Sequence, residues 1–202
     1  MAEETLSLSP SQLAQREVII EASRELFSRF GYKKTTMDDI AGTMRKGKSS
    51  LYYYFKNKED IFTAVIMLES NILHETLKEI IDSDLSATEK LKKYIFKRIE
   101  TITQLQNYQN VLKEGIYGGY EFLEGFNDDS ENVDCELLES ILEEGVRAEE
   151  FDIKNIRWSA IAISTSLRGL EIPIFRGSLD FENIEEQLEN VVKVLFYGIT
   201  KR

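Results

Sequence analysis

The sequence predicts an all-α protein of about nine helices: a small N-terminal helix-turn-helix bundle, then a larger helical C-terminal part. Three observations predict it. Apolar residues recur at three- and four-residue spacing along most of the chain, and no segment alternates convincingly like a strand. Helix-start signals precede several of these runs, each with an acidic partner three residues on: Thr36 with Asp39, Asn57 with Asp60, Ser86 with Glu89. Charge is divided along the chain. Residues 31–58 hold seven Lys/Arg against two acids, a balance of +5, and residues 59–202 hold fifteen against twenty-nine, a balance of −14. That asymmetry gives a net −11 chain one basic end; the acidic remainder would repel DNA and restrict contact to that end, or serve equally as a solubility surface.

Residues 1–10 are polar and expected to fray. The first helix is expected from about Ser11 to Phe30, with Val18, Ala22, Leu26 and Phe30 as its apolar stripe, Ile19 and Phe27 beside it, and Gly31 as its stop. Thr36 then caps a short helix whose Met37, Ile40, Ala41 and Met44 share one face. Residues 45–47 break the pattern. A further helix is expected over residues 48–55, with Leu51 and Phe55 turned inward.

Asn57 opens a long helix running to about Ile81, too long to belong to the small bundle alone. Ser86 caps another, with Leu91, Ile95, Ile99, Ile102 and Leu105 at helical spacing. The pattern weakens near Tyr108 and breaks at Gly115, Gly118 and Gly119. Residues 127–134 read as an acidic, solvated loop, since their carboxylates lack the spacing of a calcium loop. Residues 137–146 are amphipathic. Asp152 is placed to cap a helix over residues 153–170, ending near Gly169 and Pro173, and a last helix is expected over residues 181–197.

The stretch from 36 to 58 carries the chemistry. Arg45, Lys46 and Lys48 crowd the start of the second short helix, and Ser49, Ser50, Tyr52 and Tyr53 lie at its start or outer side. Like charge at the positive end of a helix dipole is relieved by an anion, and DNA phosphates supply one. Small hydroxyls and tyrosines beside lysines suit phosphate and base-edge contact in a major groove.

On Phe27, Gly31 and Tyr32, then Thr36, Asp39, Ile40 and Ala41, then Leu51-Tyr52-Tyr53-Tyr54-Phe55-Lys56-Asn57-Lys58, the chain resembles the helix-turn-helix of TetR-family transcriptional regulators. The likeness is specific over about residues 15–66. Three positions depart from the family pattern: the turn glycine is Arg45, the apolar residue after it is Lys46, and the hydroxyl cap of the recognition helix is Gly47. The resemblance implies a DNA-binding domain over residues 1–56 and an effector-binding and dimerisation domain over 57–202. It implies DNA contacts from Thr36, Arg45, Lys46, Lys48, Ser49, Ser50, Tyr52 and Tyr53, and a phosphate contact from Lys58 that competes with simple compensation by Glu59 and Asp60. It implies a homodimer on a palindromic operator, joined through the last two helices, where Ile161, Thr165, Leu188, Val192 and Leu195 are candidate interface residues. It also implies a small-molecule effector. Tyr94, Tyr108, Tyr117, Tyr120, Phe126 and Trp158, with Phe122, are the candidate aromatics for that site, and such residues line cores as readily as pockets.

Composition narrows the remaining classes. With 42% hydrophobic residues the chain can bury a substantial core. Its longest apolar stretch, near residues 160–163, is too short to cross a bilayer, and the first dozen residues lack the basic and apolar regions of a signal peptide. One cysteine, Cys135, fits a reducing, cytoplasmic setting. A lone histidine, His74, without a cysteine cluster gives no zinc set. No catalytic triad, phosphate-cradling loop or cofactor motif is present, so neither enzyme activity, metal nor cofactor is expected. The reading is a cytoplasmic transcriptional regulator, a repressor relieved by a small apolar or aromatic effector. The alternatives are a ligand-independent architectural or nucleoid-associated DNA binder and a helical protein-interaction module.

Overall fold

A computed structural model of the chain describes residues 9–114, 121–177, 186, 188–190 and 192–194. Among them the regular structure is helical: α1 (Pro10–Phe30), α2 (Met37–Thr43), α3 (Lys48–Tyr52), α4 (Lys58–Ile81), α5 (Ala87–Gln104), α6 (Gln106–Glu114), a 3-10 turn (Glu121–Leu123), α7 (Glu124–Arg147) and α8 (Ile156–Phe175). Residues 188–190 and 192–194 are helical as well, and no strand occurs among the described residues. The chain divides into two compact units, Met1–Glu69 and Ser70–Arg202.

In the first unit, Ser9 and Gln12 cap α1 reciprocally, with Pro10 in the first turn. Its buried face is Ile19, Ile20, Ser23 and Phe27. The expected stripe is therefore rotated: Val18 and Phe30 stand about half exposed. Ser23 takes an interior position, its hydroxyl satisfied by a 2.7 Å hydrogen bond donated to the Ile19 carbonyl. Gly31 ends the helix at φ +81°, a conformation that glycine adopts without strain. Phe27, Tyr32 and Phe62 cluster behind it, with the Phe27–Phe62 rings edge to face at 5.1 Å.

The Thr36–Asp39 capping box forms as expected and starts α2, whose Met37, Ile40 and Ala41 are buried. α4 starts with Asn57 Oδ1 accepting from the Asp60 amide at 2.7 Å. The Asp60 carboxylate accepts from the Lys56 amide instead of closing the expected box.

In the second unit the Ser86–Glu89 box starts α5, reinforced by the Glu150 carboxylate, which accepts from the Ala87 and Thr88 amides. α7 packs on α5 and α8, and α6 on α5 and α8. Two expectations fail here for one cause. Residues 127–134 form part of α7, not a solvated loop, and residues 106–114 form α6 where the apolar pattern fades. Their buried faces are polar: Ser130 and Asp134 on α7, Asn107, Tyr108 and Gln109 on α6. Apolar periodicity cannot register such faces.

α8 starts at Ile156 with Asn155, not Asp152, accepting from the Trp158 amide. It runs past Gly169 and holds Pro173 in its last turn. After α7 the chain turns back so tightly that the Phe151 ring lies 2.1 Å from where a Cβ on Gly145 would stand, so only glycine fits there.

Candidate DNA-binding face and effector site

The helix-turn-helix is built by backbone hydrogen bonds at the end of α2. Arg45 sits at φ +54°, its amide donating to the Gly42 carbonyl and the Lys46 amide to the Ala41 carbonyl, both at 3.0 Å. This is a complete Schellman turn with arginine where glycine is favoured. Gly47 then precedes α3 without a side-chain cap. α3 is shorter than expected, five residues instead of eight, because the chain tightens at Tyr53 and Tyr54. Phe55 lies beyond the helix and still reaches the core at 4% exposure. Leu51 is fully buried beneath.

The outer side of this motif gathers several expected residues. Lys46, Ser49, Ser50, Tyr53 and Tyr54 line one open cleft of about 430 Å³ with Ser11 and Gln15 of α1. Lys46 Nζ donates to Gln15 Oε1 at 2.5 Å, and Gln12 donates to the Tyr53 hydroxyl. Tyr52 and Tyr53 are exposed, Tyr53 at 63%. Lys48 Nζ bonds Asp38 Oδ2 at 2.8 Å, and that hydrogen bond raises its pKa. The Thr36 hydroxyl is engaged in the capping box, whose hydrogen bonds hold the Asp39 carboxyl below its usual range.

Ser11, Gln12 and Gln15 are absent from the sequence-based set. The signal that could have found them is the uncharged polar face at the start of α1. Lys58 is not on the cleft. Its ammonium donates to the carbonyls of Tyr32 (2.9 Å) and Thr35 (3.0 Å) and sits 4.2 Å from the centre of the Tyr32 ring. It ties down the segment between α1 and α2.

In the second unit the expected aromatics separate. Tyr94 is fully buried and Tyr108 nearly so, whereas Trp158 points outward at 68% exposure and does not line an interior site. Phe122 is half-buried. Tyr117, Tyr120 and Leu195, and the side chain of Phe126, lie outside the described residues. Thr165 is exposed and Ile161 half-buried on α8, while Leu188 and Val192 are covered by their own chain.

Tyr94 and Tyr108 belong to an ionic cluster. Arg98 donates through Nε to Glu171 and through Nη1 to Asp134 Oδ1 at 2.7 Å; none of the three exceeds 2% exposure. Arg168 reaches Asp134 Oδ2 and Glu131 Oε1, both at 3.0 Å, and His74 Nε2 lies 3.3 Å from Asp134 Oδ1. Burial opposes ionisation of both Asp134 and Arg98. The opposite charges outweigh it, so the Asp134 carboxyl is held well below the carboxylate range and the Arg98 pKa is raised. Burial pushes the Tyr94 phenol far up, and the Tyr108 phenol up to about 12.

Comparison with known proteins matches this architecture. The family model "Bacterial regulatory proteins, tetR family" matches residues 19–65. The repressor KstR2 of Mycolicibacterium smegmatis is 26% identical over 151 residues, 72% of this chain and 74% of that one. A transcriptional regulator from Cytophaga hutchinsonii superimposes with a TM-score of 0.77 at 27% identity, covering 92% of this chain and 98% of the other. FadR of Bacillus subtilis, crystallised with stearoyl-CoA, shares the fold at a TM-score of 0.71 and 22% identity, over 88% of this chain and 95% of its own. Helix-turn-helix, helical second unit and similarity agree: residues 19–65 match the tetR-family model, and the chain is similar to bacterial DNA-binding transcriptional regulators of that family.

Proposed function

We propose that the chain is a homodimeric repressor that reads a palindromic operator through the cleft side of its helix-turn-helix and leaves it when a small apolar or aromatic effector binds the second unit. One observation carries the reading: Lys46, Ser49, Ser50 and Tyr53 converge on a single open cleft beside the exposed Arg45. Cationic groups there engage phosphates, and hydroxyls and a phenol reach base edges. On this reading residues 1–56 hold the DNA-reading surface, residues 57–202 the effector and dimer functions, and the protein works in the cytoplasm. KstR2 carries the name of a repressor and FadR was crystallised with stearoyl-CoA, which supports both halves of the switch. No helix among the described residues is long and apolar enough to cross a membrane.

Dimerisation is assigned to the outer face of α8. Trp158, Ile161, Thr165 and Ile172 follow one another at helical spacing, and Trp158, Thr165 and Ile172 are exposed in the single chain. An exposed apolar stripe of this kind is an association surface. A symmetric dimer suits recognition of a palindrome, whose half-sites lie roughly 34–36 Å apart.

Selection of bound DNA from a random pool is the test. The expected winners share a palindrome with half-sites one helical turn apart, and Tyr53→Ala or Ser50→Ala changes the preferred bases. Winners without a shared sequence would turn the reading to an architectural DNA binder.

A further inference from the structure

The start of α1 grips two side chains of the open cleft. Gln12 donates through Nε2 to the Tyr53 hydroxyl, and Gln15, one turn on, accepts from Lys46 Nζ at 2.5 Å. The orientation of the Gln12 carboxamide is fixed by its other end. Its Oε1 accepts from the Ser9 backbone amide at 2.7 Å, which closes the capping box of α1. A backbone N–H can only donate, so the atom facing it is the oxygen, and the NH2 is left to face Tyr53. That NH2 can likewise only donate, so the phenol oxygen accepts. The Tyr53 ring is set edge-on against Tyr54, with ring centres 4.8 Å apart. A phenol that accepts from Gln12 keeps its own hydrogen to donate elsewhere. Tyr53 lines the cleft and stands 63% exposed, so that hydrogen is available to a molecule docked there.

We infer that Gln12 is a positioning residue for base choice: it holds the Tyr53 hydroxyl as a hydrogen-bond donor, so that Tyr53 selects guanine or thymine over cytosine. The inference rests on the operator-reading role proposed for Tyr53 and adds the polarity of its contact. In the major groove guanine offers O6 and N7 and thymine offers O4, all acceptors, whereas cytosine offers only its N4 amino donor. Adenine carries one group of each kind and satisfies either polarity. A hydroxyl free to rotate would serve donor and acceptor edges alike. One whose oxygen is already engaged by an amide NH2 meets an amino group donor to donor. The carboxamide that starts α1 thereby also sets what the reading side chain can recognise.

The test turns on Gln12→Glu. A glutamate keeps the capping box, yet its second oxygen can only accept. The Tyr53 proton must then turn toward that carboxylate, leaving the phenol oxygen to face DNA as an acceptor. The position to examine is the one in the selected half-site where Tyr53→Phe removes the base preference. Duplexes with each of the four bases there are titrated by fluorescence anisotropy against the full-length parent, Gln12→Glu, Gln12→Ala and Tyr53→Phe. The parent should bind guanine or thymine several-fold tighter than cytosine. Gln12→Glu should reverse that order, and Gln12→Ala should flatten it. The charge added by Gln12→Glu weakens all four duplexes alike and drops out of their ratio, and a merely structural role for Gln12 would leave the ratio in place. If circular dichroism shows that Gln12→Glu does not fold, the flattening in Gln12→Ala decides. A base order unchanged in the Gln12 variants, or a parent preference for cytosine, would overturn the assignment. So would a Tyr53→Phe effect that is absent or equal on all four bases, the latter placing the hydroxyl on a phosphate. Where the selection yields a palindrome, these failures leave operator reading standing. Winners without a shared sequence overturn both.

Discussion

The Lys58 ammonium donates to the Thr35 carbonyl at 3.0 Å and to the neighbouring Tyr32 carbonyl at 2.9 Å, which makes the first residue of α4 the anchor of the segment entering α2. The resemblance implied a phosphate contact for this lysine. With its ammonium held by two carbonyls and the Tyr32 ring, Lys58 is proposed to act on DNA binding through the position of α2. Lys58→Ala should therefore destabilise the first unit by about 1–3 kcal/mol, since it removes two charge-assisted hydrogen bonds from a half-buried group. The salt slope of DNA binding should stay as it is. Thermal unfolding and a salt titration with the selected DNA separate the two roles, and a slope reduced by a full unit would restore the phosphate assignment.

Arg45 gives the opposite pattern. Its backbone is held at φ +54° by the Schellman turn, a conformation that costs a residue with a Cβ roughly 1 kcal/mol relative to glycine. Arg45→Gly should raise the stability of the first unit by about that amount. It should also weaken DNA binding and lower the salt slope by about one. Strain retained at an exposed cation beside the reading cleft is what a site kept for function looks like. Gain of stability with unchanged DNA affinity would leave Arg45 without that role.

Gly145 is a packing requirement of the second unit. A methyl group there would meet the Phe151 ring at 2.1 Å. Gly145→Ala should destabilise by about 1–3 kcal/mol, the range for forcing volume into a closed site. The double change Gly145→Ala with Phe151→Leu should cost less than the sum of the two single changes, measured by urea unfolding.

The ionic cluster sets the pH response of the second unit. Asp134 is depressed in the folded state, so its contribution is complete above the unfolded value of about 3.9 and is lost as pH falls through the lower folded value. Unfolding free energy should hold through mild acid on its account. Tyr108 is raised to about 12. Its contribution is complete below the unfolded value of about 10 and is lost as pH climbs toward 12, at roughly 1.4 kcal/mol per pH unit. Comparing urea unfolding of the parent and Tyr108→Phe across that window isolates the effect: the parent's slope should be steeper by about one proton.

The first unit was legible in the sequence because its signals are local. Thr36 with Asp39, Gly31 and the Leu51–Phe55 pair specify caps, stops and inward faces within a few residues of themselves. What escaped was set at a distance. Gln12 and Gln15 meet Tyr53 and Lys46 across more than thirty residues of sequence, and Lys58 finds its carbonyls more than twenty residues back. In the second unit the misread segments are those whose buried faces are charged or polar. Asp134 looks like solvated loop chemistry until Arg98, thirty-six residues earlier, is brought against it. The Arg98–Glu171 pair spans seventy-three residues and has no local signature at all.

Trp158 is the chain's single tryptophan, and it stands exposed on α8. The protein thus carries its own optical label on the face assigned to self-association. Emission from an indole in water lies further to the red than from one enclosed by protein, so the spectrum reads the cover on that face without added dye. Dilution that separates copies would shift it red while circular dichroism holds constant. Unfolding would change both signals together. An instrument that distinguishes dissociation from denaturation is already written into the sequence.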